Sequence, residues 1–322
     1  MKKALIIVAA FAVLIGLQMT MRDFVGAYNY QIVVLVGINI ILAVSLNLIN
    51  GVTGQFSIGH AGFYAVGAYT CALLVSTIQE PFRNATGSLP EIAQDTLLLL
   101  IGLAAAAIAA GLAGLVVGIP SLRLKGDYLA IVTLGFGEII RVVIVNVEAV
   151  GGSRGMTGIP ALSNFFWVYL FVIVTVATIH NLVYSSYGRA FISIRDDETA
   201  AEAMGVDTTR YKVLAFVVSS MFAGIAGGLF AHFTMYLHPN SFLFITSFYV
   251  IIMIVVGGLG SIPGAIIGAV AVTVLLEAFR EFGAFRLVNF AIILVLIMIF
   301  RPQGLMGGLK VFKPRSRAAV TK

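Results

Sequence analysis

Residues 97–119 read LLLLIGLAAAAIAAGLAGLVVGI, a run without a charged side chain that ends at Pro120. A helix needs roughly 20 mostly apolar residues to cross a hydrocarbon core, so this run predicts a transmembrane helix. Working outward, runs of the same kind recur between short polar loops, at 4–20, 30–50, 56–78, 128–148, 164–184, 211–236, 243–259, 263–280 and 287–301. In lipid every backbone amide needs an internal partner, which leaves helices as the economical way to span. The expectation is therefore an all-α integral membrane protein, a polytopic bundle of about ten transmembrane helices in a single domain over 1–322.

Composition agrees with lipid as the solvent: 60% of residues are hydrophobic, 11% are charged, and the mean hydropathy is +1.04. The net charge of +6 is spread over loops rather than gathered on one soluble unit, which argues against nucleic acid as a partner. The single cysteine, Cys71, lies in an apolar stretch, so neither an intrachain disulfide nor a cysteine metal cluster is available. Met1-Lys2-Lys3 and the apolar run after it resemble a secretory signal. Gln18 to Arg22 lacks small-residue cleavage chemistry, so the run is read as an uncleaved first span.

Ten crossings put both termini on one side, and the positive-inside rule says which. With the termini inside, the inner segments hold fourteen basic residues: Lys2, Lys3, Arg123, Lys125, Arg189, Arg195, Arg210, Lys212, Arg301, Lys310, Lys313, Arg315, Arg317 and Lys322. The outer loops hold Arg22, Arg83, Arg154, Arg280 and Arg286, and Arg141 falls within a span. Both termini are thus expected in the cytoplasm, with the basic tail 302–322 lying against anionic membrane lipid.

Two glycine-rich breaks interrupt the apolar pattern. Gly257-Gly258-Leu259-Gly260-Ser261-Ile262-Pro263-Gly264 divides a stretch too long for one crossing, and it reads as a tight turn between two spans or as a re-entrant pair of half-helices. Asn50-Gly51-Val52-Thr53-Gly54 precedes the third span. Small residues four apart, at Gly114 and Gly118, Gly224 and Gly228, and Gly264 and Gly268, are read as helix-packing positions.

No phosphate-cradling G-x-x-x-x-G-K-[ST] loop, H-E-x-x-H zinc pair or G-x-S-x-G elbow occurs, so the chain is read as a non-enzyme that binds no cofactor or metal. Ionisable groups in hydrocarbon are costly and therefore informative. Glu138 and Arg141 share a face at i, i+3, where they would bound an aqueous path or form a structural ion pair; Glu138 is also the carboxylate an ion-coupled carrier would use. Ser57 and His60, beside the first glycine break, are further candidates for the translocation path, with helix packing or a gate as the alternative. An intramembrane enzyme would have to draw on His60, Glu138 and His232, which form no recognisable motif.

The longest internal loop, about 185–211, is rich in charge. Asp196-Asp197-Glu198 suits a helix N-terminus, Thr199 to Met204 can be helical, and Gly205 can end the turn. On that helix Ala200, Ala203 and Met204 share one face and Glu198 and Glu202 another, a pattern that fits either a knob for a partner's groove or a solvated connector.

The stretch from Ile194 to Val206, containing Ala200-Ala201-Glu202-Ala203-Met204-Gly205, resembles the cytoplasmic coupling loop of ABC-importer permeases, in the variant of branched-chain amino acid permeases of the LivM type. Further similar blocks follow in the family's order: Gly54 to Phe63, Leu122 to Ala130, Gly151 to Ile159 and Gly257 to Ser261. The loop departs from the strict Glu-Ala-Ala-x-x-x-Gly pattern of other importer classes and lacks their downstream Leu-Pro. The resemblance implies an inner-membrane permease subunit that imports leucine, isoleucine or valine, with urea or short amides as the cargo of relatives in the wider group. It further implies a second homologous permease, two ATP-binding cassette subunits carrying ATP and Mg, and a periplasmic substrate-binding protein. By the same resemblance Asp197, Ala200, Ala201, Glu202, Ala203, Met204 and Gly205 would couple the chain to the ATPases.

Overall fold

The computed structural model describes residues 2–306 apart from Ser88, Arg123, Lys125 and Pro302. The basic tail therefore lies almost wholly outside the described residues, as do the side chains of nearly all of the predicted first span, 4–20. Among the described residues the chain is helical, with no β-strand and one isolated antiparallel bridge, Met156 to Leu237. The helices are α1 (Lys2–Asn47), α2 (His60–Ala85), α3 (Glu91–Ser121), α4 (Asp127–Asn146), α5 (Phe165–Val183), α6 (Ser186–Asp196), α7 (Glu198–Ala203), α8 (Thr208–Thr234), α9 (Phe244–Gly257), α10 (Ile262–Ala278) and α11 (Arg286–Phe300).

Eight segments among the described residues are long and apolar enough to cross a membrane, rather than the ten expected. The difference lies at the two ends of the chain. Residues 4–20 lie in the first part of α1, which the non-helical Gly26 (φ 77°, ψ 155°) divides from the part that follows, and of the two only Gly26–Val52 is among the eight. Helix α11 has 15 residues, about 22 Å at the usual rise, and falls short alone. It nonetheless runs between the two ends of the bundle: Arg286 Nε donates to Leu276 O near the close of α10, while Leu305 N donates to Val256 O and Met306 N to Gly257 O at the α9–α10 turn.

That turn is closely packed. A Cβ on Gly268 would run into Met253 O, and Gly257 and Gly264 lie backbone against backbone, so α9 and α10 pair along their lengths. With its flanking residues each is a candidate span, Pro239–Gly257 and Ile262–Gly283, as the tight-turn reading requires. Close approach at small residues also builds the centre. Gly67 and Gly227 bring α2 against α8, and Gly224 admits the backbone of α3 at Ala106. Gly114 meets Ser220 Oγ and Gly118 meets Phe216 on α8. By contrast α4 and α5 are little buried, and the outer face of α3 presents Leu112, Val116 and Ile119.

Candidate functional site

The loop of 185–211 is more ordered than its sequence suggests. Most of its first half is the helix α6, capped by Ser185 Oγ accepting from Tyr187 N, and only then comes the expected short helix α7. Asp197 caps α7, its Oδ1 accepting from Ala200 N at 3.0 Å, and Gly205 closes it at φ 83°. Ala201 turns inward at 4% exposure, whereas Ala200, Glu202, Ala203, Met204 and Gly205 are exposed, Met204 at 84%. The two glutamates face the bundle through their carboxylates. Glu198 Oε2 pairs with the buried Lys212 Nζ at 2.6 Å, and Glu202 Oε1 accepts from Thr208 Oγ1 at 2.7 Å. Both partners sit in the first turns of α8, so α7 is fastened to a membrane helix while its exposed Ala200, Ala203 and Met204 face has no partner among the described residues.

Helix α6 ends on the junction of the two glycine-rich breaks. Residues Leu48–Val52 form a π-helical turn, a distortion common at functional positions. Asn47 Oδ1 accepts from Gly260 N at 2.9 Å, and Gly51 lies against Gly260 so closely that no Cβ fits between them. Arg195 covers this contact. A Cβ on Gly54 (φ 74°) would come within 2.6 Å of Arg195 Cγ, and one on Gly260 (φ 78°) within 3.6 Å of Arg195 Nη1. A cleft of about 440 Å3 beside it is lined by Gly54, Phe56, Asp127, Arg195, Glu198 and Lys212, among others. Sequence reasoning missed Arg195 and Asn47; the signal available was that Asn47 is a polar residue inside an apolar run and that the chain has two glycine breaks to bring together.

The path candidates fall into two separate sets. Ser57 and His60 are each 1% exposed, Ser57 bonded through its backbone and His60 through its ring. Ser57 N donates to Asn50 Oδ1 and Asn50 Nδ2 to Ser57 O, both at 3.2 Å, which clamps the loop before α2. His60 Nε2 lies 3.0 Å from Ser45 Oγ, and Ser219 Oγ donates to Ser45 O, tying α1, α2 and α8 together. Amides just before and within the first turn of α2 are met by side chains: Ile58 N donates to Thr133 Oγ1 and Ala61 N to Ser247 Oγ. Glu138 and Arg141 instead pair with each other on half-exposed α4, with Arg141 Nε 2.7 Å from Glu138 Oε2. At the opposite end of the bundle from Arg195, Tyr236 Oη donates to Arg154 O and His232 Nδ1 to Pro160 O.

No group of three or more His, Cys, Asp or Glu able to hold a metal occurs among the described residues. Residues 29–301 match the family model described as branched-chain amino acid transport system / permease component. The chain is 38% identical over 304 residues to the high-affinity branched-chain amino acid transport system permease protein LivM of Salmonella typhimurium, a match covering 84% of this chain and 68% of the relative. It is 37% identical over 311 residues to LivM of Escherichia coli K12, covering 86% and 69%. The permease protein LivH of Salmonella typhimurium is 25% identical over 291 residues, covering 83% and 90%. No solved structure matches the chain. The apolar spans and these relatives converge: the chain belongs to the family of permease components of branched-chain amino acid transport systems, multi-pass proteins of transmembrane transport.

Proposed function

We propose that the chain is one of two homologous permeases in an ATP-driven importer of leucine, isoleucine and valine at the inner membrane. A periplasmic binding protein would deliver the amino acid, and two ATP-binding cassette subunits on the cytoplasmic face would bind and hydrolyse ATP with Mg. The observation that carries the reading is α7, a short capped helix that shows Ala200, Ala203 and Met204 outward while Glu198 and Glu202 hold it to α8. Nucleotide binding supplies the differential affinity for two states that a conformational cycle requires. Movement of α7 would be transmitted through α6 and Arg195 to the glycine junction, where α1, α2, α9 and α10 meet.

The orientation follows from charge. Arg189, Arg195, Arg210 and Lys212 lie at the end of the bundle that holds both glycine breaks, and the excess of basic residues in the segments of that side favours the cytoplasm. Within this scheme Ser57 and His60 are a packed gate region rather than a binding surface, and the Glu138–Arg141 pair stiffens α4.

The test is substrate-stimulated ATP hydrolysis and uptake in liposomes holding this chain, its permease partner, the two ATPases and a loaded binding protein. Leucine-stimulated hydrolysis that Met204→Glu abolishes is the expected result. Uptake that persists without the ATPases and stops with Glu138→Gln would make the chain an ion-coupled carrier, and stimulation by urea but not leucine would move the cargo to small amides.

A further inference from the structure

On the outside of the bundle, at the same end as α7, a groove of about 630 Å3 opens between α3, the start of α6 and the start of α8. Its inner wall is apolar, built from Leu115 of α3 with Leu214 and Val217 of α8, and its rim is polar, built from Ser186, Tyr187 and Arg210. From Arg210 to Val217 the groove reaches about 10 Å along α8 toward the bilayer interior, at the usual helical rise. The Arg210 guanidinium has no acidic partner among the described residues: the nearby carboxylate, Asp207, caps α8 by accepting from Arg210 N at 3.0 Å. Tyr187 is half-exposed and stands edge to face with Tyr211 at 5.9 Å, and tyrosine is a side chain enriched at membrane–water boundaries. The groove adjoins the α3 face on which Leu112 and Val116 are 59% and 67% exposed, a face that only lipid or another membrane chain can cover.

We infer that this groove binds an anionic phospholipid, with the headgroup phosphate on Arg210 and the Ser186 and Tyr187 hydroxyls and an acyl chain along Leu115, Leu214 and Val217. A soluble anion would leave the apolar wall bare, and a zwitterionic lipid would bring its own cation to Arg210. The position matters for coupling, because Arg210 lies between Thr208 and Lys212, the two residues that hold α7. A lipid seated there braces the turn of α8 on which the coupling helix pulls. The inference holds whichever solute crosses the membrane.

Native mass spectrometry of the full chain, released from detergent micelles after incubation with equal phosphatidylglycerol and phosphatidylcholine, tests this. The unmodified chain retains phosphatidylglycerol preferentially. Arg210→Gln lowers the retained ratio about fivefold, the effect of one basic side chain at an anionic surface, and Arg210→Lys restores it. Leu115→Trp, which fills the apolar end, lowers retention of both lipids, while Arg154→Gln at the opposite end changes neither. Unchanged unfolding midpoints show that the variants are folded. An unaltered ratio in Arg210→Gln, intact retention in Leu115→Trp, or displacement of the lipid by millimolar glycerol phosphate overturns the inference. Efficient photocrosslinking of a second permease through a benzophenone side chain introduced at Leu115 in native membranes would overturn it too, by assigning the groove to a protein interface.

Discussion

Gly51→Ala attacks the point where the two glycine breaks touch. The added methyl would fall on Gly260 N and on Asn47 Oδ1 and lie 2.8 Å from Gly260 Cα, so the two segments must separate and the Asn47 to Gly260 bond of 2.9 Å must open. A lost internal hydrogen bond costs about 1 kcal/mol and overpacking of a tight core about 1–3 kcal/mol, so the closed junction loses about 2–4 kcal/mol. If opening of this junction is a step of transport, the same energy shifts the balance of closed and open states by roughly 30-fold to 1,000-fold. Leucine uptake in the reconstituted importer should then fall steeply while ATP hydrolysis continues without it. Asn47→Ala removes the bond without adding bulk and should show the same defect at a smaller size. Native uptake and native resistance to unfolding in mixed micelles, for both variants, would refute the idea that the junction is tightly closed and coupled to α6.

Three further outcomes follow from the loop and from α4. Met204→Glu, at an 84% exposed position, should leave the unfolding of the chain unchanged yet prevent co-purification with the ATPase subunits. Glu198→Ala strands the buried Lys212 ammonium and should cost about 3 kcal/mol, less what water recovers at this partly exposed pair; Glu198→Ala with Lys212→Met should recover much of it, read as protease resistance of 197–207. Glu138→Gln should weaken α4 through the unpaired Arg141 without changing which amino acids are carried, and Glu138→Gln with Arg141→Gln should restore stability in an unfolding titration.

What could be read from the chain and what could not divide along physical lines. Spanning segments were legible because lipid imposes a length and an apolar composition on each segment separately, so 97–119 needs no knowledge of its neighbours to be recognised. The α7 helix was legible for the same reason: Asp197 as cap, Ala200, Ala203 and Met204 on one face and Gly205 as stop are all local. The count of spans is less legible, because a property of the whole bundle decides it at the two ends of the chain. Helix α11 runs from Arg286 to hydrogen bonds at Leu305 and Met306 although its own length is short, and 4–20 is divided from the next run by a single non-helical residue, Gly26.

Helix α6 was hidden by its polar composition, because its burial is confined to one face at Gly188, Phe191 and Ile194. The glycine junction is the instructive case. Gly51 and Gly54 read as a local loop, and Gly257 to Gly264 as a local turn, yet no rule of turn chemistry explains why Gly51 must lack a side chain: its φ is not positive, and the constraint comes from Gly260, more than 200 residues away. Arg195 has the same character. Its sequence neighbours Asp196 and Asp197 make it look like one more solvated charge, whereas its stem closes over Gly54 while its guanidinium meets Asp196 at 3.0 Å. A junction built this way is fixed by non-local contacts of bare backbone, one side-chain stem and the Asn47 to Gly260 bond, so a change at Gly51, Gly54 or Gly260 should act on transport through packing and that bond, with no charge altered.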